Sequence, residues 1–387
     1  LDLDLRTPDG RWYLRGQATG SRHGGGAPEL TLADGTALRR GDLGGGGFVS
    51  LGKQGGEPWR FDLVWEYESP RLDLNAAGYQ KTQNEQKGRA VLRWVRPGGG
   101  GPFHEYLAFL GAETRWTTDG RGLNRGNALW VVAQVQLRSF HTIGTTLSLE
   151  SDSDDVRELA GTGVALRRPG LAGAEVWVAT DKGLPVWIEL DLYATRNRSL
   201  GPLPATVSGG AQLTLAVRPH PRAETKLDLL LDDPRFAARW VEDLTSGDHL
   251  LAALHAPSLS VTLRQQLVLT PRLTLQGYAQ LFAAAARYGP TYTAPASAGG
   301  VVGPSELAPG GAPTASPDYR EAKLALNAVL RWEYRLGSTL FLVYTRAQAE
   351  PPWPGSDAPP LTLRPLRLAR GPTTDTVLVK WTWRFGA

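Results

Sequence analysis

Residues 324–349 set a pattern that the rest of the chain repeats. Leu326, Ala328, Leu330, Trp332 and Tyr334 alternate with Asn327, Arg331, Glu333 and Arg335, and a second apolar run follows the turn Arg335-Leu336-Gly337-Ser338. Period two on both sides of a Gly-containing turn predicts a β-hairpin. A two-residue turn would place Trp332 beside Phe341 and send Leu340 to the polar face; a three-residue turn would swing Leu340, Leu342 and Tyr344 to the apolar face instead.

The same alternation recurs elsewhere. Trp59, Phe61, Leu63, Trp65 and Tyr67 alternate with Arg60, Asp62, Glu66 and Glu68. Leu129, Val131, Ala133, Val135 and Leu137 alternate with Gln134, Gln136 and Arg138. Val186, Ile188, Leu190, Leu192 and Ala194 alternate with Glu189 and Asp191. Between 258 and 269, Leu259, Val261, Leu263, Leu267 and Leu269 share a face broken only by Gln265. The last run sets Val377, Val379, Trp381, Trp383 and Phe385 against Thr376, Lys380, Thr382 and Arg384. Helical 3.6 spacing fits none of these runs, and only Asp232 to Asp243 leaves room for a helical turn.

The connections alternate as regularly as the strands. Short turns near Pro8, Gln54, Pro97, Ser139, Lys182, Pro219, Thr270 and Leu336 are interleaved with long Gly/Pro/Ser/Asp-rich segments at 22–44, 69–82, 117–122, 151–171, 198–205, 232–248, 288–320 and 350–372. Short turns at one end and long loops at the other characterise outer-membrane barrels. The runs also reach about 9–12 residues, the length a tilted strand needs to cross a bilayer, against about 5–6 in ordinary globular strands. Trp and Tyr gather near the strand ends, where a membrane's aromatic belts lie. The expected fold is therefore all-β, a large transmembrane antiparallel β-barrel, with a soluble β-sandwich or β-repeat protein as the alternative. About seventeen strands can be counted, whereas bacterial single-chain barrels have an even number. Residues 1–387 thus read as the C-terminal portion of one barrel domain, with strands expected upstream of Leu1.

Composition narrows the picture. The 46 Gly and 28 Pro mean many turns or disorder, and 13 Trp with 11 Tyr argue against disorder. A formal charge of +4, with arginines scattered among acids, describes a mixed polar surface and not a nucleic-acid-binding one. The absence of Cys excludes disulfides and thiolate zinc sites. No run of about 18 apolar residues is present to form a transmembrane helix.

NAVLRWEYRLGSTLFLVYTR, a long loop and the closing VLVKWTWRF together resemble the C-terminal end of a bacterial outer-membrane barrel family catalogued as domain of unknown function 5916. LDLDLRTPDGRWYLRGQATGSR, SLGKQGGEPWRFDLVWEYESPRLDLNAAGYQ and LTPRLTLQGYAQLF extend the resemblance over essentially the whole chain. It implies residence in the outer membrane of a Gram-negative bacterium, and partners in the lipid bilayer, lipopolysaccharide and the barrel-assembly machinery. It also implies a carbohydrate-binding-like module upstream, hence a link to glycans. The family pattern stops at the terminal aromatic, whereas this chain runs on to Gly386-Ala387.

Candidate chemistry is sparse. Trp381, Trp383 and Phe385 form an aromatic ladder at the chain end, resembling the signal read by the assembly machinery; the alternative is an ordinary lipid-facing strand. Arg60, Asp62, Glu66, Arg93, Arg138, Glu189, Asp191, Arg264, Arg331, Glu333, Lys380 and Arg384 are the candidates for lining a lumen, either as a solute path or as ion-paired bracing. Both signs mix without a ring, which argues against strong ion selectivity. Ser151 to Asp155 offers oxygen ligands but lacks the Gly and distal Glu of a calcium loop. Asp248, His249 and His255, with Ser258 and Ser260 nearby, are the pieces of a hydrolase without an evident convergence on one site. No cofactor and no enzymatic role are expected. The expected function is a pore or surface anchor, with a secretion or assembly scaffold as the alternative.

Overall fold

The computed structural model describes residues 1–25, 28–75, 78, 80, 82–159, 161–296, 300–351 and 365–385. Gly386-Ala387 and most of 350–372 lie outside the described residues. From the N-terminus, β1 (Asp2–Arg6) and β2 (Trp12–Arg22) are followed by a small hairpin, β3 (Glu29–Thr31) and β4 (Ala37–Arg39). Six strands follow: β5 (Leu43–Lys53), β6 (Trp59–Glu68), β7 (Glu85–Gly100), β8 (Phe103–Trp116), β9 (Asn124–Leu137) and β10 (Thr142–Glu150). Short strands β11 (Ser153–Asp155) and β12 (Ala165–Arg168) precede β13 (Leu171–Ala179), β14 (Val186–Asn197), β15 (Val207–His220) and β16 (Ala223–Asp233). Then come β17 (Arg235–Asp243), β18 (His249–His255), β19 (Ser258–Thr270) and the 22-residue β20 (Leu273–Ala294). The chain ends with β21 (Val301–Val302), β22 (Ala308–Pro309), β23 (Tyr319–Arg335), β24 (Ser338–Ala349), a five-residue helix α1 (Pro365–Ala369) and β25 (Thr373–Thr382).

Twenty strands join in one sheet. Three of them, β17, β18 and β22, branch from the far end of β20. The other seventeen form an antiparallel meander in chain order, from β1 through β2, β5 to β10, β13 to β16, β19, β20, β23 and β24 to β25. Among the described residues β1 and β25 do not pair, so the sheet is open. An odd number of antiparallel strands makes the two edges run in the same direction, and closure between them would have to be parallel. Every connection at one end of the meander is a short turn; every connection at the other is a long loop.

The sheet has two chemically distinct faces, because side chains alternate along each strand. On one face Val135, Ile143, Val178, Leu190, Leu213, Leu229, Val261, Leu281 and Leu324 stand opposite one another in turn, an unbroken apolar row across nine strands. This face is uncovered: Leu147 is 56% and Val131 45% exposed. The whole chain exposes 21671 Å², against about 15,000 Å² for a compact monomer of this mass. The polar intruder Gln265 sits opposite Thr225, whose hydroxyl donates to its amide oxygen, so the pair satisfies itself on the apolar face.

Two local expectations are corrected, and one open register is fixed. Residues 235–243 form β17, not a helical turn, because β18 offers an edge to pair with. Residues 288–294 continue β20 as strand, held by β18 and β22. The hairpin closes with the two-residue turn Leu336-Gly337, yet a bulge between Trp332 and Arg335 shifts the register by one. Leu340, Leu342 and Tyr344 therefore share the apolar face with Trp332, and Phe341 lies on the polar face opposite Arg331.

Candidate functional site

The face opposite the apolar row is the candidate site, a polar wall. Arg60, Asp62, Glu66, Arg93, Glu189, Asp191, Arg264, Arg331 and Lys380 all lie on it by register. Three candidates do not. Arg138 follows the end of β9 in the turn to β10, where its backbone N–H donates to the Pro102 carbonyl at 2.9 Å. Arg384 lies past β25, its N–H donating to Ser338 Oγ at 3.0 Å. Glu333 sits at the bulge and closes the turn, accepting the Gly337 N–H at 2.9 Å. All three belong to the short-turn rim, because the strands end or bulge before reaching them.

The wall charges are mostly matched to neighbours. Lys87 pairs with Glu66 at 2.6 Å and Lys182 with Glu189 at 2.6 Å. Asp228 receives Lys226 at 3.1 Å together with Arg264, and accepts the Thr214 hydroxyl at 2.7 Å. Arg93 stacks its guanidinium over Phe109 with 5.7 Å to the ring centroid. Cross-strand pairs of this kind stabilise a sheet face modestly, each by about 0.2–1 kcal/mol.

Aromatic side chains on the wall are the part that alternation alone does not reveal. Tyr13 on β2 lies over Gly52 on β5, and its hydroxyl donates to Asp62 on β6. Tyr193 on β14 lies over Gly210 on β15, and its hydroxyl donates to Asp232 on β16. The same Tyr–Gly–Asp brace thus spans three strands at two places. Trp130 covers Gly111 and Trp177 covers Gly144 in the same manner. The missing Cβ lets the ring lie flat against the neighbouring backbone, a use of strand glycine that packing rewards.

The long loops build a cap over one end of the wall. Asn84, fully buried and at φ 57, donates to Asp34 at 3.0 Å and Asp119 at 2.8 Å while accepting the Thr118 N–H at 2.9 Å. It ties together the connections after β2, β6 and β8. Gly161 N–H donates to Ala33 O at 3.0 Å, and Arg121 reaches the Gly163 carbonyl, so the connection after β10 joins them. The parallel pairing of β12 with β21 links that connection to the one after β20. Leu159, Leu166, Leu203, Ala238, Leu251 and Val302 pack as the centre of a dry core shared by these loops. Loops whose strands lie six apart in the sheet meet here, which requires the sheet to curve.

The remaining chemistry is accounted for by pairing. Asp152 accepts Arg198 and the Gly170 N–H, Asp154 accepts Arg167 at 2.8 Å, and Asp155 pairs with Arg168 at 2.8 Å. The Ser151 to Asp155 segment is thus answered by arginines and makes no cation cage; no metal-binding group of side chains exists among the described residues. His249 is paired to Asp243 at 2.6 Å and His255 to Asp233. Ser260 instead accepts from Gln280 at 3.1 Å on the wall, so the pieces of a hydrolase are not brought together. His104 packs on Phe140 at 5.5 Å.

Burial pushes the Asp119 carboxyl up, but hydrogen bonds from Arg121, Asn84 and Thr117 outweigh it and hold it at about 2. A carboxyl depressed below its ordinary value stabilises the fold above pH 4 and loses that contribution as pH falls toward 2. Amide hydrogen exchange in 117–123 is expected to quicken several-fold between pH 4 and 2, beyond the intrinsic pH trend. Asp119→Asn should remove that pH dependence while exchanging faster than the parent at pH 5.

Wall, apolar face and cap define a class: a large antiparallel β-sheet protein with one polar and one apolar face and all its long loops at one end. No family model, curated protein or solved structure matches the chain.

Proposed function

We propose that this chain forms the wall of an outer-membrane β-barrel enclosing an aqueous lumen, and that it acts as a pore. The observation that carries the reading is the unbroken apolar row across nine strands, left uncovered on a chain that exposes far more surface than a compact monomer of its mass. In lipid that face needs no partner, while in water it would be a standing aggregation surface. A wall of seventeen strands is too wide for side chains to fill; barrels of about 16–18 strands leave a water channel. The segregation of short turns and long loops, and the resemblance of the terminal hairpin, favour the same reading.

The aromatic cluster at the short-turn end fits a membrane-interface belt and, at the chain terminus, an assembly signal. Trp332 meets Tyr334 at 5.9 Å and Trp381 meets Trp383 at 5.8 Å, with Phe385 at 6.3 Å from Trp383. Trp381 Nε1 donates to the Tyr334 hydroxyl at 2.6 Å. A second reading is a surface anchor, and the cap favours it: a loop assembly with its own dry core is a folded platform as well as a plug.

Single-channel recording of the refolded protein in a planar bilayer separates the two. Stepwise conductance is the expected result. Insertion without any conductance would leave the anchor, and a stable soluble form that does not insert would overturn the membrane reading.

A further inference from the structure

The inner wall is not uniform. Over β13 to β16 it is acidic, with Glu175, Glu189, Asp191, Glu224, Asp228 and Asp232 facing inward. Over β19 and β20 amides and hydroxyls predominate, with Ser260, Thr262, Gln266, Gln276 and Gln280, joined by Asn327 on β23, while Arg264 on β19 and Glu321, Lys323 and Arg331 on β23 keep some charge there. Where the two sectors meet, Lys226, Arg264, Gln266, Gln276, Tyr278 and Asn327 line a cavity of about 280 Å³.

The cavity's charges are already paired with neighbours on the wall and its rim. Lys226 and Arg264 both serve Asp228, and Glu224 is paired to Arg218. Arg264 also lies over the Tyr278 ring, 5.5 Å from its centroid. Gln280 is engaged as well, accepting the Tyr278 hydroxyl at 2.7 Å and donating to Ser260 at 3.1 Å. What remains uncommitted is neutral. The side-chain amides of Gln266, Gln276 and Asn327 make no hydrogen bond to the described residues. Register places Gln266 opposite Gln276, and Tyr278, two residues along β20, opposite Asn327.

Each free carboxamide offers two donors and one acceptor side by side. A carboxylate or phosphate ligand would use only the donors, and an ammonium only the acceptors. Adjacent hydroxyls on a saturated ring both donate and accept, and so use the full set. We infer that this cavity is a subsite for a neutral polyhydroxylated solute, such as a saccharide unit, on the wall of the lumen. The inference rests on the pore reading for its meaning, because the site faces the channel that reading supplies. A water-exposed subsite of this kind holds its solute weakly, with a Kd on the order of 1 mM, as suits a pore whose contacts must also release.

The test is a titration of the refolded full chain in detergent micelles with maltose, gluconate and glucosamine as probes, read by saturation-transfer NMR. Maltose is expected to bind in the millimolar range, and Gln276→Ala combined with Asn327→Ala to weaken it at least tenfold. Gln266→Ala alone, on a strand the double variant leaves untouched, is expected to weaken it several-fold and serves if the double variant does not fold. Failure of maltose to bind the folded protein, or equal binding to the variants, would overturn the inference. Preferential binding of gluconate or of glucosamine would overturn it too, by handing the site to its charged groups. Bilayer conductance is read separately. Binding without conductance would sustain the subsite and remove the pore; conductance without binding would do the reverse.

Discussion

Leu190→Arg is expected to cost about 2–4 kcal/mol of folding stability in a bilayer, the penalty for arginine on a barrel's lipid face near the midplane. Leu190 stands in the middle of β14 and of the apolar row, flanked by Val178 and Leu213. Its side chain is 37% exposed, so no packed core is disrupted by the change. In a water-soluble sheet the same substitution at an exposed position would shift stability by no more than about 0.5 kcal/mol. Urea titration of the refolded protein in lipid vesicles, set beside Asp191→Asn on the inner face as a control, measures the difference. A shift under about 0.5 kcal/mol at Leu190 would remove the lipid from the argument.

Gly210→Ala is expected to destabilise by about 1–3 kcal/mol, the range for forcing extra volume into a filled site. A methyl there would lie 2.7 Å from the Leu231 carbonyl oxygen and closer still to the Tyr193 ring. The backbone oxygen cannot give way without breaking the β15–β16 ladder, so the ring must lift. Lifting it separates the Tyr193 hydroxyl from Asp232. Tyr193→Phe isolates that last contribution and should cost less than the glycine change. The equivalent pair, Gly52→Ala and Tyr13→Phe, tests whether the brace behaves alike at its second position, where the added methyl would meet Phe61 O at 2.6 Å. Thermal unfolding followed by the loss of heat-modifiable migration reads all four.

Those two experiments mark what the sequence discloses and what it hides. Period-two alternation placed the strands, the two faces and the separation of turns from loops, because each depends only on neighbours one or two residues apart. Leu190 and Asp191 could be assigned to opposite faces by eye. The brace could not: Tyr13, Gly52 and Asp62 belong to three strands, and only the register brings them into line. The bulge in the terminal hairpin was hidden for a similar reason, since one extra residue near Glu333 and Tyr334 leaves the local alternation intact but exchanges the roles of Leu340 and Phe341. The cap was least legible. Its segments read as Gly/Pro-rich loops, and the partners of Asn84 or Leu166 come from connections far away in the chain. Arg138 and Arg384 fall at the rim and not on the wall, because alternation says nothing of where a strand stops.

The 22-residue strand β20 leaves the sheet beside β19 and β23 and, without a break, becomes the strand on which β18 and β22 are laid. Cap and wall therefore share one continuous beam. A lid that swings needs a pivot, a few residues free to change their backbone angles, and between Ala283 and Thr293 the ladder leaves only the bulge at Gly289-Pro290 without a partner. Away from that bulge, movement of the cap would have to shear strand pairs or bend the wall itself. Force applied to the loops would then be felt as tension in the sheet, which would answer stiffly, as an arch does.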